Sequence, residues 1–144
     1  MNKHCIINGP NLNLLGQREP EIYGSMTLSE IQKHTESELK KRGLDVKLDW
    51  FQSNIEGEIV EKIQSTLEQN YKSIIINPAG YSHTSVAIYD ALKLVKIPIV
   101  EVHLSNVYAR EDFRHNLLTA RAARTIMSGL GKNAYAMAVL SQEL

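Results

Sequence analysis

Ile74-Ile75-Ile76-Asn77-Pro78-Ala79-Gly80-Tyr81-Ser82-His83-Thr84-Ser85 opens as an unbroken β-branched run and passes directly into a polar, turn-forming segment. A strand with one wet face alternates apolar and polar residues. A continuous run is the pattern of a parallel strand whose sheet is covered by helices on both sides. Three further runs of this type lie at Cys5 to Ile7, Val46 to Phe51 and Ile97 to Val102.

Stretches of helical periodicity separate these runs. The first opens with the capping box Thr27-Leu28-Ser29-Glu30 and continues through Ile31 and Leu39 to a terminal Gly43. The second, Glu56 to Gln69, places Ile59, Ile63 and Leu67 on one stripe, and the third, Ser85 to Lys96, carries Val86, Ala87, Leu92 and Val95. Thr125 to Met127 fits a last short strand, followed by a helix from about Lys132 to Gln142. Strand alternating with helix at this cadence predicts a doubly wound α/β domain, with a parallel sheet between two helical layers. No internal repeat or linker divides residues 1–144, so a single domain is expected.

Composition bounds the function. The chain has 144 residues, 43% hydrophobic, with 16 basic residues balanced by 16 acidic ones. It is long enough for a real core without disulfide or metal staples, and its neutrality argues against a general nucleic-acid or anionic-membrane binder. The lone Cys5 lies in an apolar run and reads as a buried structural thiol, and no Cys/His spacing suits zinc. The Met-Asn-Lys-His start does not resemble a signal peptide, and no run of about 18 apolar residues is present, so a soluble cytoplasmic protein is expected.

In doubly wound sheets ligands bind beyond the carboxyl ends of the strands. The segment Asn8 to Gly24 is far longer than the usual two-to-six-residue connection and reads as a lid or binding loop. Neither G-x-G-x-x-G, G-x-x-x-x-G-K-[ST] nor G-x-S-x-G occurs, so dinucleotide, triphosphate and acyl-transfer chemistry lack their usual frames. Proton transfer is better served. Glu101 and His103, two apart on a strand, share a face, which fits either an imidazole oriented by a carboxylate or a buried histidine with a satisfied ring. Arg18 and Tyr23 share the long loop, where a cation beside a phenol favours tyrosinate.

Several segments together resemble the type II 3-dehydroquinate dehydratases. They are Asn8 to Gly16 with Arg18-Glu19-Pro20 and Tyr23-Gly24; Gln52 to Glu58; Asn77-Pro78; His83-Thr84-Ser85 with Asp90-Ala91; and Glu101 to Asn106 with Arg110-Glu111 and Phe113-Arg114. The match runs across residues 5–115 and agrees with the layout read from periodicity, a flavodoxin-like three-layer α/β/α sandwich with a five-stranded parallel sheet. The resemblance implies a cofactor-free, metal-free lyase of the shikimate pathway, converting 3-dehydroquinate to 3-dehydroshikimate by anti elimination through an enolate.

Carried over by residue, Tyr23 matches the base that removes the C2 proton and Arg18 the residue that favours its ionised form. Asn11 matches an enolate stabiliser acting through water, and His103 the general acid at the departing C1 hydroxyl, with Glu101 as its orienting partner. Asn77, His83, Asp90 and Arg114 match residues that hold ring hydroxyls, while Leu104 and Ser105 match those that receive the carboxylate. No lysine lies in the strand-end loops, so a Schiff-base route is not expected.

The resemblance also implies a homododecamer of four trimers, in which Asp90 reaches a neighbouring site. The chain departs from the family pattern at Tyr89, at His115-Asn116-Leu117-Leu118, and at Arg121 and Arg124, positions expected to bear on subunit packing rather than catalysis. The rival reading is a flavodoxin-like module that binds flavin or another small ligand without chemistry.

Overall fold

The computed structural model describes residues 1–17 and 19–144; Arg18 lies outside the described residues. Five strands, β1 (Asn2–Asn8), β2 (Val46–Gln52), β3 (Ser73–Asn77), β4 (Ile99–His103) and β5 (Thr125–Ser128), form one parallel sheet in the order β2-β1-β3-β4-β5. This is the flavodoxin-like order, with its switch point between β1 and β3.

The layers follow from the period-two alternation of side chains. Ile6, Ile75, Val100 and Val102 face α2 (Leu28–Lys41) and α5 (Ala134–Glu143), meeting Ile31, Leu39, Tyr135 and Val139. Cys5, Ile7, Ile74, Ile76 and Ile99 face α3 (Glu56–Ser65) and α4 (Val86–Lys93), meeting Ile59, Ile63, Ile88 and Leu92. Each fully buried isoleucine contributes about 2 kcal/mol of transfer free energy, which fixes register because a one-residue slip would exchange the two cores.

Local signals place the helix ends. Thr27 and Glu30 form the predicted reciprocal cap, each side chain accepting from the other's backbone N–H at 3.2 Å. Gly43 closes α2 at φ +74°, and Ser85 caps α4 by accepting from Ile88 N–H at 2.9 Å. Cys5 is buried, and desolvation pushes its thiol up to about 11, in keeping with a structural role.

Several expectations are corrected. Helix α3 ends at Ser65 and tightens into a 3₁₀ turn at Thr66–Glu68, which rotates Leu67 off the apolar stripe and leaves it 50% exposed. Helix α4 ends at Lys93, short of Val95, and Val86 is 59% exposed. Strand β4 begins at Ile99, after Pro98, because proline cannot donate to the ladder. The last helix starts at Ala134, after a 3₁₀ turn at Gly131–Asn133. Tyr108 is 61% exposed and rests against His115. The long first loop holds a 3₁₀ turn at Leu12–Leu14 and the short helix α1 (Pro20–Tyr23). No helix among the described residues is long and apolar enough to cross a membrane.

Candidate active site

The carboxyl ends of β1, β3 and β4 open into a cleft lined in part by Asn11, Tyr23, Asn77, His83, His103, Leu104, Ser105, Arg110 and Arg114. Register sets its floor: Asn8 pairs laterally with both Gln52 and Asn77, so three amide side chains end adjacent strands in one row.

Close packing holds the first loop against this floor. Gly9 donates to the Asn77 carbonyl at 2.8 Å, and a Cβ on Gly9 would lie 2.4 Å from the Pro78 carbonyl oxygen. Asn11 then adopts a left-handed conformation (φ 69°), tolerated better by asparagine than by most residues, while its N–H donates to Asn54 Oδ1 at 2.9 Å. Asn77 is committed on both ends of its amide: Oδ1 accepts from Ala79 N–H at 3.2 Å and Nδ2 donates to Tyr135 at 3.1 Å, leaving one N–H for a ligand.

Glu101 is fully buried, and its Oε2 accepts from His103 Nε2 at 2.8 Å. The same carboxylate accepts from Ser82 Oγ at 2.7 Å and Thr119 Oγ1 at 2.5 Å. With Nε2 engaged by Glu101, Nδ1 is the His103 nitrogen left for the cleft. The His83 ring stacks 6.3 Å from that of His103, and its Nδ1 pairs with the Asn116 carbonyl at 2.9 Å. A carbonyl only accepts, so His83 carries its proton on Nδ1 and keeps Nε2 as an acceptor. Burial first, then the charges of His103 and Arg114, hold its pKa below the usual imidazole value, keeping it neutral.

Tyr23, at the end of α1, is half-buried, with the Arg110 guanidinium carbon 5.0 Å from its ring centroid. Arg110 Nη1 lies 3.4 Å from Ser105 Oγ, and its buried Nε has no hydrogen-bond partner among the described residues. Arg114 donates to Glu111 Oε2 at 2.5 Å. Ser128 Oγ donates to the Ser105 carbonyl at 2.9 Å and accepts from Val107 N–H at 3.1 Å, tying β5 to the loop after β4.

The structure thus gathers Asn11, Tyr23, Asn77, His83, His103, Leu104, Ser105 and Arg114 around one cleft, with Glu101 behind His103. Asp90 is exposed on α4 and does not line its own chain's cleft. The position predicted for Arg18 lies outside the described residues. Three residues without an assigned role from sequence emerge: Arg110, foreshadowed only as an arginine after β4, and Ser82 and Thr119, whose hydroxyls carried no local signal.

The Dehydroquinase class II family model matches residues 2–142. A 3-dehydroquinate dehydratase of Clostridium botulinum is 51% identical over 139 residues, covering 96% of this chain and 92% of that protein. The crystal structure of a type II dehydroquinase from Butyrivibrio crossotus superposes with a TM-score of 0.93 at 39% identity, covering 99% and 98% of the two chains. That of a type II dehydroquinase from Propionibacterium acnes gives 0.89 at 35% identity, covering 98% and 95%. On this similarity along nearly its whole length, the chain belongs to the class II dehydroquinase family.

Proposed function

We propose that the protein dehydrates 3-dehydroquinate to 3-dehydroshikimate through an enolate, in the shikimate pathway. The observation that carries this reading is the joint placement of the Glu101-backed His103 and the Arg110-flanked Tyr23 in one cleft.

Tyr23, as tyrosinate, removes the C2 proton next to the ketone; Arg110, beside its ring, and Arg18, from the loop that carries Tyr23, supply positive charge to the phenolate. Asn11 stabilises the enolate through a bound water. The C1 hydroxyl is too basic to depart unaided, so His103 protonates it from Nδ1 while Glu101 holds Nε2. His83, neutral with a free Nε2 acceptor, takes a substrate hydroxyl, and Asn77 and Arg114 hold others. The Leu104 and Ser105 segment, with Arg110 beside it, receives the carboxylate. Asp90 serves the cleft of a neighbouring subunit within a trimer, four of which form a dodecamer. Arg121 and Arg124 are both exposed, so neither forces an unpaired charge into the subunit's own core. The protein works in the cytoplasm.

The test is a near-ultraviolet assay for the conjugated enone. The parent is expected to generate it, Tyr23→Phe to lose turnover with ligand binding retained, and His103→Ala to lose turnover as well. No enone signal from folded, assembled parent, or near-parental rates in the Tyr23 variant, defeats the reading. Sedimentation checks the assembly: a dodecamer is expected, and a monomer carrying full activity removes the role of Asp90.

A further inference from the structure

Glu101 presents an unusual balance. It is a fully buried carboxylate whose ion-pair partner among the described residues is the His103 imidazole, rather than a lysine or arginine. Burying such a group is strongly unfavourable unless hydrogen bonds replace its water. Two hydroxyls do so from separate parts of the chain, Ser82 from the turn after β3 and Thr119 from the turn before β5. Both residues are fully buried, their oxygens are 3.3 Å apart, and neither lines the cleft.

The two oxygens of the carboxylate are used differently. Oε2 is shared between Ser82 and His103, whereas Oε1 is held by Thr119. Thr119 therefore fixes the rotation of the carboxylate, turning Oε2 toward the ring. We infer that Ser82 and Thr119 are positioning residues of the dehydratase: their paired hydroxyls hold Glu101 ionised and oriented, and through it keep His103 protonated on Nε2 and able to carry a second proton on Nδ1.

The inference rests on the proposed role of His103 as acid, yet the ring state it describes is measurable without turnover. Loss of a hydroxyl donor disfavours the ionised carboxylate, so the neighbouring imidazolium is less stabilised and gives up its proton at lower pH. Of the other titratable or charged groups around the ring, His83 stacks on it and Tyr23, Arg110 and Arg114 share the cleft; none of them is substituted in the variants.

The experiment combines the pH dependence of the dehydratase reaction with nitrogen-15 NMR of the histidine rings in the intact protein, His103 being assigned from His103→Gln. In Thr119→Val, kcat is expected to fall roughly tenfold or more, the factor equivalent to one titration unit, with KM changed by less than about threefold. The alkaline limb of kcat and the His103 titration both move to lower pH, and the fixed Nε2–H signature gives way to mixed tautomers. Ser82→Ala shifts both in the same direction by less, and Thr119→Ser restores the parental behaviour. In a Glu101→Gln background, Thr119→Val adds nothing further to the loss of kcat. An unmoved His103 titration and tautomer in folded Thr119→Val and Ser82→Ala overturns the inference, as does a fall in kcat with no movement of the pH limb. Should the parent prove inactive, the dehydratase reading fails by itself, and the NMR arm still decides whether the hydroxyls govern the ring. Should Thr119→Val fail to fold, Thr119→Ala and Ser82→Ala carry the same comparison, with Thr119→Ser as the restoring control.

Discussion

Glu101 and His103 meet because a strand returns every second side chain to the same face, so one intervening residue, Val102, suffices to bring their side chains within 2.8 Å. Spacing alone left two readings open, an oriented imidazole or a satisfied core histidine; the position of His103 at the cleft, with Glu101 buried behind it, favours the first. Gly9 shows the opposite relation between sequence and space. Asn8-Gly9-Pro10 reads as a turn, yet Gly9 has an ordinary backbone, and its need is the Pro78 carbonyl against which it lies. A Gly9→Ala methyl would sit 2.4 Å from that oxygen and must push β1 and β3 apart at the cleft floor. Urea unfolding is expected to show a loss of about 3 kcal/mol or more, at or above the upper end for overpacking, together with a raised KM; a change below about 1 kcal/mol would show that the loop relaxes freely.

Helix α5 reaches the site although it contributes no lining residue. Tyr135, fully buried on this helix, packs its ring edgewise on Trp50 at 5.4 Å, donates its hydroxyl to Asn8 Oδ1 and accepts from Asn77 Nδ2. Burial raises its pKa, keeping it a neutral donor. Its bridging of β1 and β3 has no local signature in the sequence. Tyr135→Phe keeps the packing and removes the bridge, leaving Asn8 and Asn77 short of a partner. A destabilisation of about 1–3 kcal/mol is expected in urea titrations, with KM rising because the Asn77 amide is no longer held. At the same scale, His115-Asn116-Leu117-Leu118, Arg121 and Arg124 read as departures from the family pattern that bear on subunit packing rather than catalysis, and Thr119 lies within the same stretch. That stretch places the Asn116 carbonyl on His83 and the Thr119 hydroxyl on Glu101.

Across the molecule, the end of the sheet opposite the cleft carries its own buried polar cluster. His4 is fully buried between Ser73 Oγ at 2.7 Å and Glu143 Oε2 at 2.9 Å, and Asn2 and Lys72 also approach Glu143. Desolvation lowers the His4 pKa below 6.5, the Glu143 interactions only partly opposing it, and His83 is lowered as well. The unfolded chain therefore binds these protons at higher pH than the folded one. Stability is complete above 6.5 and falls as the pH drops from there toward the folded-state values. Urea midpoints are expected to decrease between pH 7.5 and 5.5, and His4→Gln should flatten part of that slope. A slope unchanged by the substitution would assign the effect elsewhere.

What the sequence determined by itself was whatever depends on neighbours along the chain. Continuous β-branched runs, helical stripes, the Thr27 cap and the polar segments after each strand defined a parallel α/β sheet and pointed to its carboxyl edge. Periodicity and capping are local physics; boundaries slipped at β4, where Pro98 intervenes, at α3 and α5, where a 3₁₀ turn does, and at α4, which ends at Lys93. The tertiary structure decided what depends on residues far apart in sequence. It set Arg110 against Tyr23, Ser82 and Thr119 on Glu101, Tyr135 between Asn8 and Asn77, and Asp90 outside its own cleft. A hydroxyl or guanidinium bears no mark of its partner, because the partner is chosen by how helices and turns pack over the sheet, and only folding brings the two within hydrogen-bond reach.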